Sequence, residues 1–169
     1  RKGVPWGISE SGYYAFDPNM NYQYQAFGVP GLGFKRNLAE DLVITPYASL
    51  LALPFAPQAV AENLKHLKEL GALGVYGLYE ALDFTPAHLP LGQERAVVKE
   101  YMAHHHGMIL VALDNYLSAL PLGQDGLMVQ RFHSDPRLQS VDLLLQERVP
   151  ADVPLEFPRL GDLAPTRRA

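Results

Sequence analysis

Apolar positions recur at helical spacing in five parts of the chain. In residues 57–71 they fall on one face and the charged positions elsewhere, which predicts an outer amphipathic helix that ends at Gly71. In residues 45–53 a Thr-Pro pair precedes a nearly all-apolar run, which predicts a buried helix. Three further helices are predicted over about residues 102–120, 126–132 and 135–147.

Two segments between the predicted helices have no sustained apolar period. Residues 4–33 and 71–92 are rich in glycine, proline and tyrosine, a composition typical of ordered loops. Helices joined by long loops predict an all-α fold. A barrel of twelve helices would need more than about 250 residues, so we expect these helices to form half of one at most.

The two ends of the chain differ from the rest. Residues 1–150 are expected to form one domain, and proline and charge from Pro150 onward predict a linker or tail over residues 151–169. The chain opens with Arg1-Lys2-Gly3 and has no initiator methionine, so we expect it to be an excerpt from a longer protein.

Composition excludes several classes of function. The 169 residues are 48% hydrophobic and 19% charged, as in a globular protein with one core. The net charge of -4, with scattered lysines and arginines, argues against nucleic acid or anionic lipid as a partner. The absence of cysteine excludes disulfides, Cys-ligated zinc and thiol catalysis. The longest apolar run, Met108–Leu113, is far shorter than a membrane span, so no direct membrane contact is expected.

Aromatic and polar residues alternate in both predicted loops. Flat aromatic faces beside carboxylates and amides suit a sugar, which has apolar ring faces and a rim of hydroxyls. An aromatic-stabilised loop without a ligand explains the first loop equally well. The residues predicted to bind a sugar are Trp6, Tyr13, Tyr14, Asp17, Tyr22 and Tyr24 in the first loop and Tyr76, Tyr79 and Asp83 in the second.

Each loop also contains a glutamate that could take part in catalysis. Cleavage of a glycosidic bond needs two carboxyl groups, which can lie far apart in the sequence. Glu10 and Glu80 are the candidates. The alternatives are that Glu10 caps a helix and that Glu80 pairs with Arg95.

Three consecutive histidines, residues 104–106, stand at the start of a predicted helix. Neighbours on a helix point about 100° apart and cannot share one metal ion well, so we expect no metal, and the chemistry calls for no other cofactor. His105 and His106 are candidates for binding a substrate hydroxyl or moving a proton. A hydrogen-bonded core histidine is an equally good interpretation.

Four motifs resemble the glycoamylase-like domain, and most closely the central domain of the cyclic β-1,2-glucan synthases. They are PWGISES at 5–11, YQYQAFGVPGLG at 22–33, YEALD at 79–83 and YMAHHHGM at 101–108. The resemblance runs from about Pro5 to Pro150. One departure is His106, where members of the family commonly have glutamine.

The resemblance implies an (α/α)6 barrel, of which this chain would be the C-terminal part. It implies retaining transglycosylation that closes linear β-1,2-glucan into a ring, whereas related β-1,2-glucanases hydrolyse. A non-catalytic glucan-binding fragment is the other alternative. The partners implied are a β-glucan and the remaining domains of a larger, inner-membrane-bound synthase, with this segment on the cytoplasmic side. The motifs carry the acidic positions over to Glu10 and Glu80.

Overall fold

The computed structural model describes residues 3–28, 41–120, 124–141 and residue 144. This part of the chain is 38% helical and 19% strand, with several antiparallel sheets. The predicted all-α fold, as part of an (α/α)6 barrel, is therefore wrong. The error lies largely in the two aromatic-rich segments. The first forms two strands, because tyrosine favours a pleated, half-buried surface, and the second contains three strands of only two or three residues.

The predicted helices are present with altered bounds: the first three are shorter than predicted, and the fourth runs over Leu127–Ser134 where residues 126–132 were predicted. Gly71 follows the second helix with φ at +88°, which a glycine adopts without steric cost. Asp135 caps the last helix by accepting a 2.9 Å hydrogen bond from the Arg137 amide. The predicted end of this helix, except residue 144, and the predicted linker lie outside the described residues. The helices are α1 Pro46–Leu50, α2 Pro57–Glu69, α3 Ala103–Ser118, α4 Leu127–Ser134 and α5 Pro136–Gln139.

The first predicted loop is an antiparallel hairpin of β1 (Glu10–Phe16) and β2 (Tyr22–Ala26). Asp17 forms its turn, since the Asp17 carboxylate accepts hydrogen bonds from the Asn19 and Asn21 amides at 2.8 and 2.9 Å. The hydrogen bonds from Asn21 hold the pKa of Asp17 below its usual value.

The second predicted loop contributes to two further sheets. One has three antiparallel strands in the order β3-β6-β7, with β6 in the centre. The other is a short hairpin of β4 and β5. The strands are β3 Val43–Ile44, β4 Leu73–Gly74, β5 Gly77–Leu78, β6 Ala81–Asp83 and β7 Ala96–Val98.

Strand β6 lies between two hydrophobic clusters. Ala81 packs with Phe27, Val43 and Val98, whereas the next residue, Leu82, packs in the cluster of Ile44, Leu67 and Ala72. Successive side chains of a strand point to opposite faces, so each face of β6 is covered. The residue before this strand, Glu80, is therefore held by a fully buried element.

The chain divides into two compact units, one ending at Gln130 and the other beginning at Arg131. The predicted domain over residues 1–150 stays a prediction. Among the described residues, the structure contains no helix with the length and apolarity that crossing a membrane requires.

Candidate functional site

Glu80 is a buried carboxylate with a partner on each oxygen. The residue is only 3% exposed. Oε1 accepts a 3.1 Å hydrogen bond from the Gly12 amide, and Oε2 lies 2.9 Å from Nδ1 of His105. The sequence also allowed Glu80 to pair with Arg95, but the partners of its carboxylate in the structure are Gly12 and His105. A buried charge needs such partners, because it is costly to remove from water.

His105 connects Glu80 to the surface. It lies in the first turn of α3, is 2% exposed, and its Nε2 is 3.4 Å from the hydroxyl of Tyr24. The ring of Tyr47 stacks on the imidazole with 3.8 Å between centroids and 16° between planes. The His105 ring is thus fixed at both nitrogens and on one face.

Gly12 allows the two strands and the carboxylates to come together. It pairs across the hairpin with Tyr24, so both residues face the same side of the sheet. A Cβ at Gly12 would lie 2.8 Å from Oε2 of Glu100 and 3.3 Å from Cγ of Glu80. Only a glycine fits this close approach without a shift of its neighbours.

Glu100 is a third acidic residue of this site, and sequence reasoning missed it. Its backbone carbonyl accepts a 3.0 Å hydrogen bond from the Glu80 amide, an extension of the β6–β7 pairing that places the two residues side by side. Burial and then the charge of Glu80 raise the pKa of Glu100, while His105 lowers it. The only sequence signal is its position beside the YMAHHHGM motif.

Glu10 is exposed at the start of β1, so it does not cap a helix. Burial, followed by the charge of Glu10, raises the pKa of Tyr24 to about 12. The charges of Glu80 and Glu100 act in the same direction. The charges of all three carboxyl groups act on the Tyr24 phenol, so the predicted pair Glu10 and Glu80 lies in the same region as Glu100.

The Asp83 carboxylate makes hydrogen bonds that hold neighbouring segments together. It is fully buried and accepts hydrogen bonds from the Tyr14 amide at 3.0 Å and the Thr85 amide at 2.9 Å. Its Oδ2 also lies 2.7 Å from Nδ1 of His88. Tyr13 packs against this histidine with ring centroids 5.0 Å apart. Asp83 thereby ties β1 to the segment that follows β6.

The other predicted aromatic residues form two clusters. On the hairpin, Tyr14 and Tyr22 both contact Phe16, at 5.2 and 4.7 Å between ring centroids. In the second cluster Tyr101 lies 5.1 Å from Tyr79 and 5.5 Å from Tyr76, which is 79% exposed.

Trp6 is held by its backbone and presents its indole, since the residue is 41% exposed. The Asn63 side chain accepts from the Trp6 amide at 3.0 Å and donates to the Trp6 carbonyl at 2.8 Å. The Ser49 hydroxyl donates to the same carbonyl. Nothing in the sequence pattern singled out Asn63 or Ser49.

His106 points away from the carboxylates. Its Nδ1 lies 3.2 Å from the Met102 carbonyl, and its ring lines an apolar groove of about 380 Å³ together with Ile109 and Leu113. Its buried Nε2 has no hydrogen-bond partner in the part of the chain that the structure describes. Within those same ranges, no three His, Asp or Glu side chains gather where a metal ion could bind.

The chain is similar to known carbohydrate-active proteins. It is 48% identical over 155 residues to the cyclic β-(1,2)-glucan synthase NdvB of Rhizobium meliloti (strain 1021), covering 92% of this chain and 5% of that protein. A putative glucoamylase from Bacteroides fragilis matches with a TM-score of 0.52 and 26% identity, over 83% of this chain and 27% of that one. The endo-β-1,2-glucanase from Chitinophaga pinensis, in complex with sophorotriose and glucose, matches with a TM-score of 0.50 and 26% identity. This match covers 83% of this chain and 28% of that one.

This chain therefore spans a small part of each of these proteins. The model of the glycoamylase family, described as putative glucoamylase, matches residues 2–128. That range contains all four motifs on which the resemblance rested. It also contains Glu10, Glu80 and Glu100. Because the match covers more than half of the chain, the prediction of the family is confirmed. The chain belongs to the glycoamylase family.

Proposed function

We propose that this chain forms part of the active site of an enzyme that acts on β-1,2-glucan. The observation that carries the proposal is the chain of contacts from the buried Glu80 through His105 to Tyr24, whose phenol also feels the charges of Glu10 and Glu100. Glycosidic bond cleavage is chemistry that needs carboxyl groups held in different protonation states. The names of two similar proteins, a cyclic β-(1,2)-glucan synthase and an endo-β-1,2-glucanase, support this substrate.

Glu10 and Glu80 are the proposed catalytic carboxyls, in different surroundings. Glu10 is exposed and can contact a sugar directly. Glu80 is buried, with both oxygens in hydrogen bonds, so it reaches the surface through His105. Two carboxyl groups in such unlike environments are suited to different tasks.

The proposed reaction is retaining transglycosylation that makes a cyclic glucan. A carboxylate attacks the anomeric carbon while an acid gives its proton to the departing glycosidic oxygen, which leaves a glycosyl-enzyme ester and a shorter chain. A hydroxyl at the other end of the bound glucan then attacks the anomeric carbon. The conjugate base takes its proton, the ester bond breaks, and the carboxylate is restored. No water is consumed, and the product is a ring.

Endo-hydrolysis of β-glucan is the second candidate, supported by the similarity to the Chitinophaga pinensis glucanase. In that reaction water takes the place of the acceptor hydroxyl in the second step. The exposed aromatic faces of Trp6 and Tyr76 are compatible with holding either a donor or an acceptor sugar.

We also propose that this segment works within a larger synthase. The similarity to NdvB covers 5% of that protein, which leaves room for the other domains that the resemblance implies. The proposed setting is an inner-membrane-bound enzyme with this segment on the cytoplasmic side.

Substitution of the two glutamates tests catalysis against binding alone. In the full-length protein that contains this segment, Glu10→Gln and Glu80→Gln are expected to lower turnover of linear β-1,2-glucan by roughly 10²- to 10⁴-fold. Binding of the glucan is expected to weaken by about tenfold at most. Glu62→Gln, an exposed change on α2, is the matched control and is expected to keep full activity. Retained binding in a wild-type protein that never forms product would instead identify a glucan-binding module.

A further inference from the structure

We infer that Tyr24 presents a hydrogen-bond acceptor to its ligand, because a chain of three hydrogen bonds from the Gly12 amide fixes the direction of the Tyr24 hydroxyl proton. The chain passes through Glu80 and His105. The ligand, a hydroxyl of a β-glucan, rests on the proposed function. The direction of the proton rests on the contacts, with Glu80 ionised and His105 neutral.

The first step is set by the backbone. An amide N–H can only donate, so the Glu80 oxygen that faces Gly12 at 3.1 Å must accept. The second oxygen of the same carboxylate lies 2.9 Å from Nδ1 of His105. An ionised carboxylate offers only acceptors, so Nδ1 of the imidazole carries the proton.

The second step follows from the chemistry of the imidazole. A neutral ring has one N–H, so with Nδ1 protonated, Nε2 is an acceptor. The hydroxyl of Tyr24 lies 3.4 Å from this atom and is therefore turned inward as the donor. Burial raises the pKa of Tyr24 to about 12, so the hydroxyl keeps its proton near neutral pH.

The Tyr24 hydroxyl oxygen keeps lone pairs that a ligand can use. Tyr24 is 42% exposed, and once its proton points to His105 its oxygen offers lone pairs to the outside. A ligand hydroxyl that donates a hydrogen bond is accepted there, and a group that can only accept is not. The stacked ring of Tyr47 keeps the imidazole in the plane that this arrangement requires.

The same logic predicts that Glu80→Gln reverses the polarity of the whole chain. The Gly12 amide still demands an acceptor, so the amide oxygen of the glutamine faces Gly12 and its NH₂ group faces His105. Nδ1 then becomes an acceptor and Nε2 carries the proton. Tyr24 is left to accept from the ring and to turn its own proton outward.

The test is the tautomer of His105, read by nitrogen NMR of the full chain labelled at its six histidines. The His105 signals are assigned by their loss in His105→Gln. The wild-type protein is expected to show the proton on Nδ1, and Glu80→Gln on Nε2. Glu100→Gln, which leaves the hydrogen-bond chain intact, is the matched control and is expected to match the wild type. A proton on Nε2 or on both nitrogens in the wild type, or no change in Glu80→Gln, overturns the inference.

Binding of linear β-1,2-glucan tests the ligand separately. Tyr24→Phe is expected to weaken binding by roughly two- to tenfold, the effect of one lost hydrogen bond, while the tautomer of His105 stays as in the wild type. Tyr116→Phe, at a partly buried position that packs against the cluster of Leu50, Leu53 and Val60, is the control and is expected to bind normally. Equal binding by Tyr24→Phe overturns the role of Tyr24, whereas a wild-type protein that binds no glucan overturns the proposed function and leaves the tautomer result standing.

Discussion

Oε2 of Glu80 lies 2.9 Å from Nδ1 of His105, and both side chains are almost completely buried. This pair joins the strand β6, which begins one residue later, to the first turn of α3. Because neither residue reaches solvent, we propose that a substrate meets Tyr24 and Glu10 before it reaches the pair. The pair therefore holds β6 to α3. Its chemical role is a proposal, and substitutions next to the pair separate that role from the structural one.

Replacing Gly12 by alanine is expected to push the carboxylates apart. The new methyl would lie 2.8 Å from Glu100 Oε2, the end of a flexible side chain, and 3.3 Å from Cγ of the buried Glu80, so we expect a loss of about 1 kcal/mol in the free energy of unfolding. Denaturant unfolding measures it. Gly107→Ala is the matched control, because nothing lies within 4 Å of its added Cβ, and a helical glycine replaced by alanine is expected to gain about 0.5–1 kcal/mol. Equal stability of Gly12→Ala and the wild type would contradict the packing described.

Glu100→Gln is expected to change how stability depends on pH. Burial and the Glu80 charge raise the pKa of Glu100 above its ordinary 4.5, so the folded state holds this proton more tightly than the unfolded chain. The stability from this group is fully present below 4.5 and is lost as the pH rises through the raised pKa. A neutral glutamine escapes that loss, so the variant should gain on the wild type toward neutral pH.

The measurement is the Tm of the wild type and of Glu100→Gln from below pH 4.5 up to neutral pH. Glu94→Gln, at an exposed position in the same segment, is expected to show no such trend. A Tm difference for Glu100→Gln that stays constant, or that grows toward acid pH, would show that Glu100 is not held in the way described.

Asn63→Ala is expected to release the backbone of Trp6. The change leaves the amide and the carbonyl of Trp6 without the Asn63 side chain, and an unsatisfied buried group costs about 1–3 kcal/mol. Trp6 is the single tryptophan of the chain, so its fluorescence reports directly on this site. Glu62→Ala, the exposed neighbour on α2, should stay within about 0.5 kcal/mol of the wild type. An unchanged emission spectrum in Asn63→Ala would argue that the two hydrogen bonds with Asn63 do not hold Trp6 in place.

The helices could be predicted from the sequence, and the strands could not. The apolar spacing of α2 and α3 extends over 13 and 16 residues, long enough for a period to be recognised. Strands β3 to β7 have two or three residues each, which is too short for any period. In β1 the aromatic residues fall on both faces of the strand, so the alternation typical of a half-buried strand is hidden.

The candidate site could be predicted in part. Glu10, Glu80 and Tyr24 stand in motifs whose composition suits a sugar, and the structure brings them together. Glu100 and Gly12 were missed because their role depends on strand register, which decides which residues lie opposite each other. The contacts of Asp17 in the hairpin turn could not be predicted either, because its carboxylate was singled out only as a type of group that suits a ligand.

The most direct test of the proposed function is the mass of the products formed from linear β-1,2-glucan by the longer protein, with this chain assayed alongside. The account predicts cyclic products, each lighter by one water than a linear glucan of the same length, and their loss in Glu10→Gln and Glu80→Gln. Shorter linear products would favour hydrolysis over ring closure. A glucan left unchanged by the longer protein as well as by this chain would contradict the assignment of its substrate.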